Sequence, residues 1–273
     1  MITLVYNSFN IYIMNINKQS KLNLLLSSYP VGVVLQTSWL EKEGYSYALQ
    51  QSYRKNGWLK LLGRGAMIRL SDKVVSYTGG IYALQVQSGL MIHPGAKTAL
   101  NLLGKAHYLE MSARRVSLFG GEKERLPTWL RNYDWGQKIA YYPTSFLPAD
   151  LGLVQIDLGN FSIQVSGGAR AILECLYLAP GKMELQECYE LIEGLNDLHP
   201  GKVQQLLEVC TSIKVKRLFL YLSERAGHAW FKKLDLEKID LGKGKRSIVK
   251  NGAYIEKYQI TVPRALAQNE TEI

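Results

Sequence analysis

The strongest constraint on the fold is a series of short helical patterns, each ended by a glycine or a proline, in the first seventy residues. Leucines at i, i+3 and i+4 predict an amphipathic helix over residues 18–28. A second helix, capped by Thr37 or Ser38, is predicted to stop at Gly44. A third helix is capped by Ser46 and again ends on glycine. Two helices joined by a tight glycine turn predict a helix-turn-helix.

A basic hairpin is predicted directly after the third helix. The segment WLKLLGRGAMIRL (58–70) contains two short apolar runs on either side of Gly63-Arg64-Gly65. Runs of this length around glycine are typical of paired strands, so Arg64 would lie at the tip of the turn. A hairpin that follows a helix-turn-helix is a wing, and this part of the chain is therefore predicted to be a winged helix-turn-helix.

One face of the third helix has the composition of a DNA-reading surface. Leu49, Ser52, Tyr53 and Asn56 are predicted to face the core, and the opposite face carries almost no acid. Gln pairs with adenine and Arg with guanine, while Ser, Tyr and a helix N-terminus hold phosphate. The predicted DNA-binding residues of this helix and the hairpin are Ser46, Tyr47, Gln50, Gln51, Arg54, Lys55, Lys60 and Arg64. A three-helix packing module without a ligand is the alternative.

The charge of the chain supports two basic surfaces. The 273 residues carry 33 Lys and Arg against 23 Asp and Glu, a formal charge of +10. Residues 1–70 hold 8 basic and 2 acidic residues, residues 71–213 hold 12 and 14, and residues 214–264 hold 13 and 5. Two basic ends around a near-neutral middle predict two surfaces that face polyanions or acidic partners. For the second basic segment, residues 214–264, solvated lysines on ordinary helices are the alternative.

The rest of the chain predicts an α+β domain. Short extended runs lie at 107–111, 114–120, 137–143, 153–159 and 161–165, and helical patterns follow at 169–178, 183–191, 202–210 and 214–225. Strands return at 254–262. We predict a non-conforming extension over residues 1–14, a winged helix-turn-helix over 15–92, and a mixed α+β domain over 93–273. Met14 is a second possible start besides Met1.

Four segments of the chain resemble one protein family. The segments occur in the order and at the spacing typical of the family. They are GWLKLLGRGAM, residues 82–109, FSIQVSGGARAILECLYL (161–178) and residues 228–263. They resemble AbiEi-family antitoxins of bacterial type IV toxin–antitoxin (abortive infection) systems, over about residues 17–263. The chain departs from the family at Ser166-Gly167-Gly168, where the family usually has a proline-containing turn.

The resemblance implies a function that charge and periodicity do not. It implies a winged helix-turn-helix that represses its own operon on promoter inverted repeats, with dimerisation on the DNA left open. It also implies a C-terminal domain that counters a nucleotidyltransferase-like toxin of the AbiEii type, directly or functionally. Pairs of this kind commonly serve phage defence or retention of a mobile element in the bacterial cytoplasm.

Catalytic signatures are missing from the sequence. GLNDLHPGKV lacks the glycine spacing of a P-loop, and no H-E-x-x-H, G-x-S-x-G or Gly-Ser pair occurs. The four histidines are far apart and are predicted to be caps or surface residues. We therefore expect no enzyme activity, no cofactor and no metal. An enzyme built on Asp157, Asp235 and Glu237 is the least favoured hypothesis.

One C-terminal motif has chemical content. LGKGKRSI (241–248) places Lys243, Lys245 and Arg246 on a glycine-rich loop. Such a loop can bind a phosphate or an acidic patch on a protein, and a plain charged turn is equally consistent with it. Trp230 just before the motif is predicted to be core.

The cysteine pattern and the hydropathy of the chain predict its compartment. Three cysteines without a C-x-x-C pair, and no run of about 20 apolar residues, predict a cytoplasmic protein without disulfides or membrane spans. The alternative function is a stand-alone winged-helix transcription factor, whose C-terminal domain senses a ligand or oligomerises.

Overall fold

The computed structural model describes residues 21–72, 74–105 and 115–267. The predicted extension over residues 1–14, the two possible starts and the predicted strand at 107–111 lie outside the described residues. The chain divides into two compact units. The first comprises Met1–Gly89, Pro127–Trp135 and Asp157–Ile163, and the second comprises Leu90–Leu126, Gly136–Ile156 and Gln164–Ile273. The domain boundary between residues 92 and 93 stays a prediction.

The first unit is a winged helix-turn-helix. Its elements follow in the order α1 (21–28), β1 (Leu35–Gln36), α2 (Thr37–Lys42), α3 (Tyr47–Lys55), β2 (Leu59–Gly63) and β3 (Ala66–Arg69). The three strands form one antiparallel sheet in the order β1-β3-β2. The predicted three helices and hairpin are confirmed, with Arg64 in the turn between β2 and β3.

The helix caps follow the sequence signals only in part. Ser46 caps α3 as predicted, because its hydroxyl oxygen accepts a hydrogen bond from the Leu49 N–H at 3.4 Å. The predicted cap of α2 at Thr37 or Ser38 is wrong, because α2 begins at Thr37 and Gln36 is its N-cap. Gln36 is at the same time the last residue of β1, so strand pairing decides where the helix begins.

A buried arginine ties α1 to the hairpin. Arg69 at the end of β3 donates to the carbonyl oxygens of Leu26 at 2.7 Å, Tyr29 at 3.0 Å, and Pro30. It also pairs with Asp72 at 3.3 Å. The core beneath it contains Leu22, Leu25, Val33, Leu35, Leu40, Tyr45, Tyr53, Leu59 and Met67.

A helical segment completes the first unit. It comprises α4 (Tyr77–Tyr82) followed by a π-helical turn (Ala83–Gln87). The Gln87 side chain accepts from the Gln36 N–H at 2.9 Å and donates to the Val34 carbonyl at 2.7 Å. The unit also contains α6 (Thr128–Asn132), and the Phe161 ring contacts Tyr82 edge to face.

The second unit is α+β, as predicted. It begins with β4 (His93–Pro94), α5 (Ala96–Leu102), β5 (Arg115–Gly120) and β6 (Lys138–Pro143), whose strands form a sheet in the order β4-β5-β6. Strands β7 (Leu153–Asp157) and β8 (Ser162–Ser166) pair with each other.

Helices dominate the rest of the second unit. They are α7 (Gly168–Leu178), α8 (Leu185–Glu193), α9 (Pro200–Val209) and α10 (Ile213–Arg225). Two short 3-10 turns follow at Phe231–Lys233 and Leu236–Lys238. The small sheet β10-β11-β9 (Ala253–Ile255, Ile260–Val262, Arg246–Ser247) and α11 (Arg264–Ala267) come last. Of the expected elements here, only the strand at 107–111 falls outside the described part.

A buried carboxylate organises the start of this unit. Glu174 on α7 is fully buried, and it accepts hydrogen bonds from the Ala96 N–H at 2.8 Å, Ser166 Oγ at 2.7 Å and Arg170 Nε at 2.8 Å. His93 Nε2 lies 3.4 Å from the same carboxylate. Burial alone would raise the pKa of Glu174, but His93, Arg170 and the Ala96 N–H together hold that pKa below its ordinary value.

The burial of the histidines, Trp230 and the cysteines tests the positions predicted for them. His93 and His228 are buried, so their predicted cap or surface positions are wrong. His228 contacts the Ile192 carbonyl at 2.7 Å and stacks against Trp230, which is core as predicted. Cys175, Cys188 and Cys210 are buried and unpaired.

Candidate nucleic-acid interface

The exposed face of α3 carries polar and basic residues. Tyr47 is 60% exposed, and its hydroxyl accepts from Gln51 Nε2 at 2.7 Å, which fixes the two side chains together. Arg54 and Lys55 lie in the last turn and are exposed. These residues follow one another at i, i+4, i+7 and i+8, the spacing of one helix face. Ser46 is exposed at the start of the helix.

The predicted outward position of Gln50 is wrong. Gln50 is 2% exposed, and its Nε2 donates to the Tyr45 carbonyl at 2.8 Å and to the Thr37 carbonyl at 3.2 Å. The side chain therefore joins the turn before α3 to the start of α2. A glutamine used in this way cannot read a base, so Gln50 is removed from the candidate interface.

The hairpin adds basic groups beside this face. Lys60 on β2 and Arg64 in the turn are exposed, and Gly65 takes a φ of +87°, which the turn requires. A concave surface between α3 and the hairpin is lined by Gln51, Arg54, Lys55, Gly57, Leu59, Lys60, Leu61 and Leu70. None of these residues is acidic. The groove therefore has a positive potential that favours a polyanion.

Apolar side chains at the rim of this surface were not predicted as part of it. Trp58, Leu61 and Leu70 are each more than two-fifths exposed, although all three belong to apolar runs that predict burial. Strand alternation does not identify Leu61, because it would place Leu61 on the core face with Leu59. The strand instead buries Leu59 and Leu62, and its register shifts between Leu61 and Gly63.

The second set of predicted residues lies in the second unit. Lys243, Lys245 and Arg246 are all exposed on one loop, and the Lys245 ammonium lies 5.0 Å from the Tyr254 ring centroid. Asp235 pairs with Lys238 at 2.9 Å and forms no cluster with Asp157 or Glu237. Among residues 21–72, 74–105 and 115–267, no group of three His, Cys, Asp or Glu side chains could hold a metal ion. No helix in this described part is long and apolar enough to cross a membrane.

The fold and the exposed basic helix define the chain as a winged helix-turn-helix protein with an α+β unit attached. Family models identify it further. Residues 18–111 match the transcriptional regulator, AbiEi antitoxin N-terminal domain, and residues 113–263 match the transcriptional regulator, AbiEi antitoxin, of type IV toxin–antitoxin systems. The chain belongs to the AbiEi antitoxin family, a family of transcriptional regulators.

A solved structure has the same fold. The crystal structure of the RV2827C protein from Mycobacterium tuberculosis superposes with a TM-score of 0.58 at 16% sequence identity. The alignment covers 87% of this chain and 88% of that one. No curated protein matches the sequence.

Proposed function

We propose that this antitoxin represses its own operon by binding promoter DNA through α3 and the Arg64 hairpin, and that its second unit counters a nucleotidyltransferase-like toxin in the bacterial cytoplasm. The observation that carries the DNA-binding half is an acid-free, exposed helix face beside a basic wing. Membership of a family of transcriptional regulators supports the same half.

Each of the remaining predicted residues has a role in the proposal. Gln51 and Arg54 contact base edges in the major groove, where their side chains pair bidentately with adenine and guanine. Ser46, Tyr47 and the positive end of α3 hold backbone phosphates. Lys55, Lys60 and Arg64 neutralise phosphates along the groove and the wing.

Promoter binding by the full chain tests the DNA-reading half. Arg54→Ala should weaken binding to the chain's own promoter by about 1–3 kcal/mol and relax base preference at one position. Arg64→Ala should weaken binding to promoter and random duplex alike, because it removes a phosphate contact. Lys123→Ala removes an exposed cation from the second unit and serves as the control. Equal losses on random DNA for Arg54→Ala and Arg64→Ala would remove the base-reading assignment.

Growth rescue tests the antitoxin half. Expression of the neighbouring nucleotidyltransferase gene alone should kill cells, and coexpression of this chain should prevent the killing. A chain that ends at residue 106 should fail to rescue, because the proposal places antagonism in residues 93–273. The Arg54→Ala, Arg64→Ala double variant should still rescue while losing promoter binding, which separates the two functions. Rescue by the truncated chain would move the antitoxin function to residues 15–92.

A further inference from the structure

The loop at residues 241–246 is folded around a buried guanidinium. Arg217 on α10 is 2% exposed. Its nitrogens donate to the carbonyl oxygens of Leu241 at 2.8 Å, Gly242 at 3.0 Å, Gly244 at 2.7 Å and Gln259 at 3.1 Å. All four acceptors are backbone atoms. The shape of the loop is therefore fixed by its main chain, and its side chains are available for other contacts.

Peptide geometry then directs two N–H groups to the outside. In a trans peptide the C=O and N–H of one plane point in opposite directions. Because the carbonyls of Gly242 and Gly244 face Arg217, the N–H groups of Lys243 and Lys245 face away from it. Neither N–H has an acceptor within the described part of the chain.

Two glycines around these N–H groups take the left-handed conformation that anion-binding backbone turns use. Gly242 and Gly244 have φ values of +62° and +78°, while Lys243 between them has a negative φ. Alternation between left-handed and right-handed residues is the backbone arrangement in which successive N–H groups converge on an anion. The Gly242 N–H is already used, since Asp240 Oδ1 accepts it at 2.8 Å.

The cations at this loop outnumber its one carboxylate, that of Asp240. Within the described ranges, no carboxylate pairs with Arg217, although buried arginines are almost always paired. Burial lowers the pKa of Arg217, and the charge of Arg246 lowers it further. Lys243, Lys245 and Arg246 add three exposed cations. A bound anion would supply the missing negative charge.

We propose that the 241–246 loop binds a phosphate group through the N–H groups of Lys243 and Lys245 and the side chains of Lys243, Lys245 and Arg246. A phosphate offers several acceptor oxygens, which suits converging N–H donors and a guanidinium better than the two oxygens of a carboxylate. The group can come from a free phosphate or nucleotide, or from a nucleic-acid backbone. This site belongs to the second unit and does not depend on the promoter-binding proposal.

Amide chemical shifts of the full chain test the site directly. Titration with inorganic phosphate should move the backbone N–H signals of Lys243 and Lys245 along a saturable curve, and chloride at equal ionic strength should not. A mononucleotide and a short duplex without the promoter sequence form the second and third arms. The probe that saturates the shifts at the lowest concentration of phosphate groups identifies the source. The duplex saturates first if the ligand is a nucleic-acid backbone, and inorganic phosphate or the mononucleotide saturates first if it is a free phosphate.

Variants separate a built site from general attraction. Lys243→Gln with Lys245→Gln should weaken phosphate binding by about tenfold, which corresponds to ~1.4 kcal/mol. The matched control, Lys232→Gln with Lys233→Gln, removes the same charge from exposed positions of the same unit. Equal loss in both double variants, or no saturable shift with any phosphate probe, would overturn the proposal. Polyglutamate acting as strongly as phosphate would reassign the loop to an acidic protein.

The two proposals can fail independently. Arg54→Ala and Arg64→Ala should leave the phosphate-induced shifts of Lys243 and Lys245 unchanged. A loss of these shifts in either variant would contradict a separate site in the second unit.

Discussion

Gln50 lies on the buried side of α3. Hydropathy treats Gln50 as a surface residue, and the helix pattern alone places it beside Gln51 and Arg54. The structure buries it with its amide nitrogen donating to the carbonyls of Thr37 and Tyr45, which satisfies the donor half of the amide, while its Oε1 has no partner among the described residues. Such partners lie in other elements, so local sequence does not reveal them. Gln51, Arg54 and Lys55 are predicted correctly as exposed or half-exposed because they lack partners of this kind in the turn.

We expect Gln50→Ala to destabilise the first unit rather than to alter base reading. It removes the side-chain donor to the Tyr45 and Thr37 carbonyls and opens space in the turn, a cost of about 1–3 kcal/mol. Gln51→Ala, one residue further along the same helix and half-buried, should change the free energy of unfolding by less than about 0.5 kcal/mol. Urea unfolding of both variants measures the difference. Equal stability of the two would contradict the structural role of Gln50.

Glu174 should make the second unit sensitive to acid. Its pKa is lowered in the folded chain, so it contributes stability above its ordinary pKa of about 4.5 and loses that contribution as pH falls through the lowered value. Glu174→Gln should cost about 3–5 kcal/mol at pH 7, because it leaves Arg170 buried without its carboxylate.

The measurement is the urea midpoint of the wild-type chain and Glu174→Gln between pH 7 and pH 3. The difference between the two chains should shrink as the pH falls below about 4.5. A constant difference across this range would show that the carboxylate charge is not what stabilises the unit.

Long elements could be predicted from the sequence, whereas short ones could not. The runs that became β5, β6 and the helices α7 to α10 span five or more residues, enough for apolar periodicity to identify them. Strand β1 has two residues and exists because Leu35 and Gln36 pair with Met67 and Ala66. The same pairing moves the cap of α2 from Thr37 to Gln36. Contacts distant in sequence thus set the details that periodicity missed.

Gly79 on α4 illustrates a contact that overrides helix propensity. Alanine normally stabilises a helix over glycine by about 1 kcal/mol. At this position a Cβ would collide with the carbonyl oxygen of Gly32. We expect Gly79→Ala to lower the melting temperature by several degrees, while Gly181→Ala, which has open space around it, should leave it nearly unchanged. Thermal unfolding followed by circular dichroism measures both, and a more stable Gly79→Ala variant would disprove the close approach.

The net charge of the whole molecule is divided between two basic parts of the sequence, and only one of them belongs to the proposed DNA surface. Arg54, Lys55, Lys60 and Arg64 form the first set, and Lys243, Lys245 and Arg246 belong to the second. Composition alone predicted two polyanion-facing surfaces but could not say what either would bind.

Salt dependence of promoter binding should count the contacts of the first set. The three phosphate contacts proposed for Lys55, Lys60 and Arg64 predict a slope of log affinity against log salt of about −3. Arg64→Ala should make that slope shallower by about 0.9, whereas Lys123→Ala should not alter it. Binding titrations across a series of salt concentrations provide the slopes. An unchanged slope for Arg64→Ala would place the hairpin tip away from the phosphates.

The carbonyl contacts of Arg217 have a consequence for how related antitoxins can diverge. Because Arg217 contacts the loop only through main-chain oxygens, the lysines of the loop can be exchanged for other residues without loss of these contacts. Ligand choice at this position can therefore drift during evolution, or be redesigned by grafting, while the surrounding helices stay as they are. Arg217 itself has no such freedom, since another side chain would leave the carbonyl oxygens of Leu241, Gly242 and Gly244 without this donor.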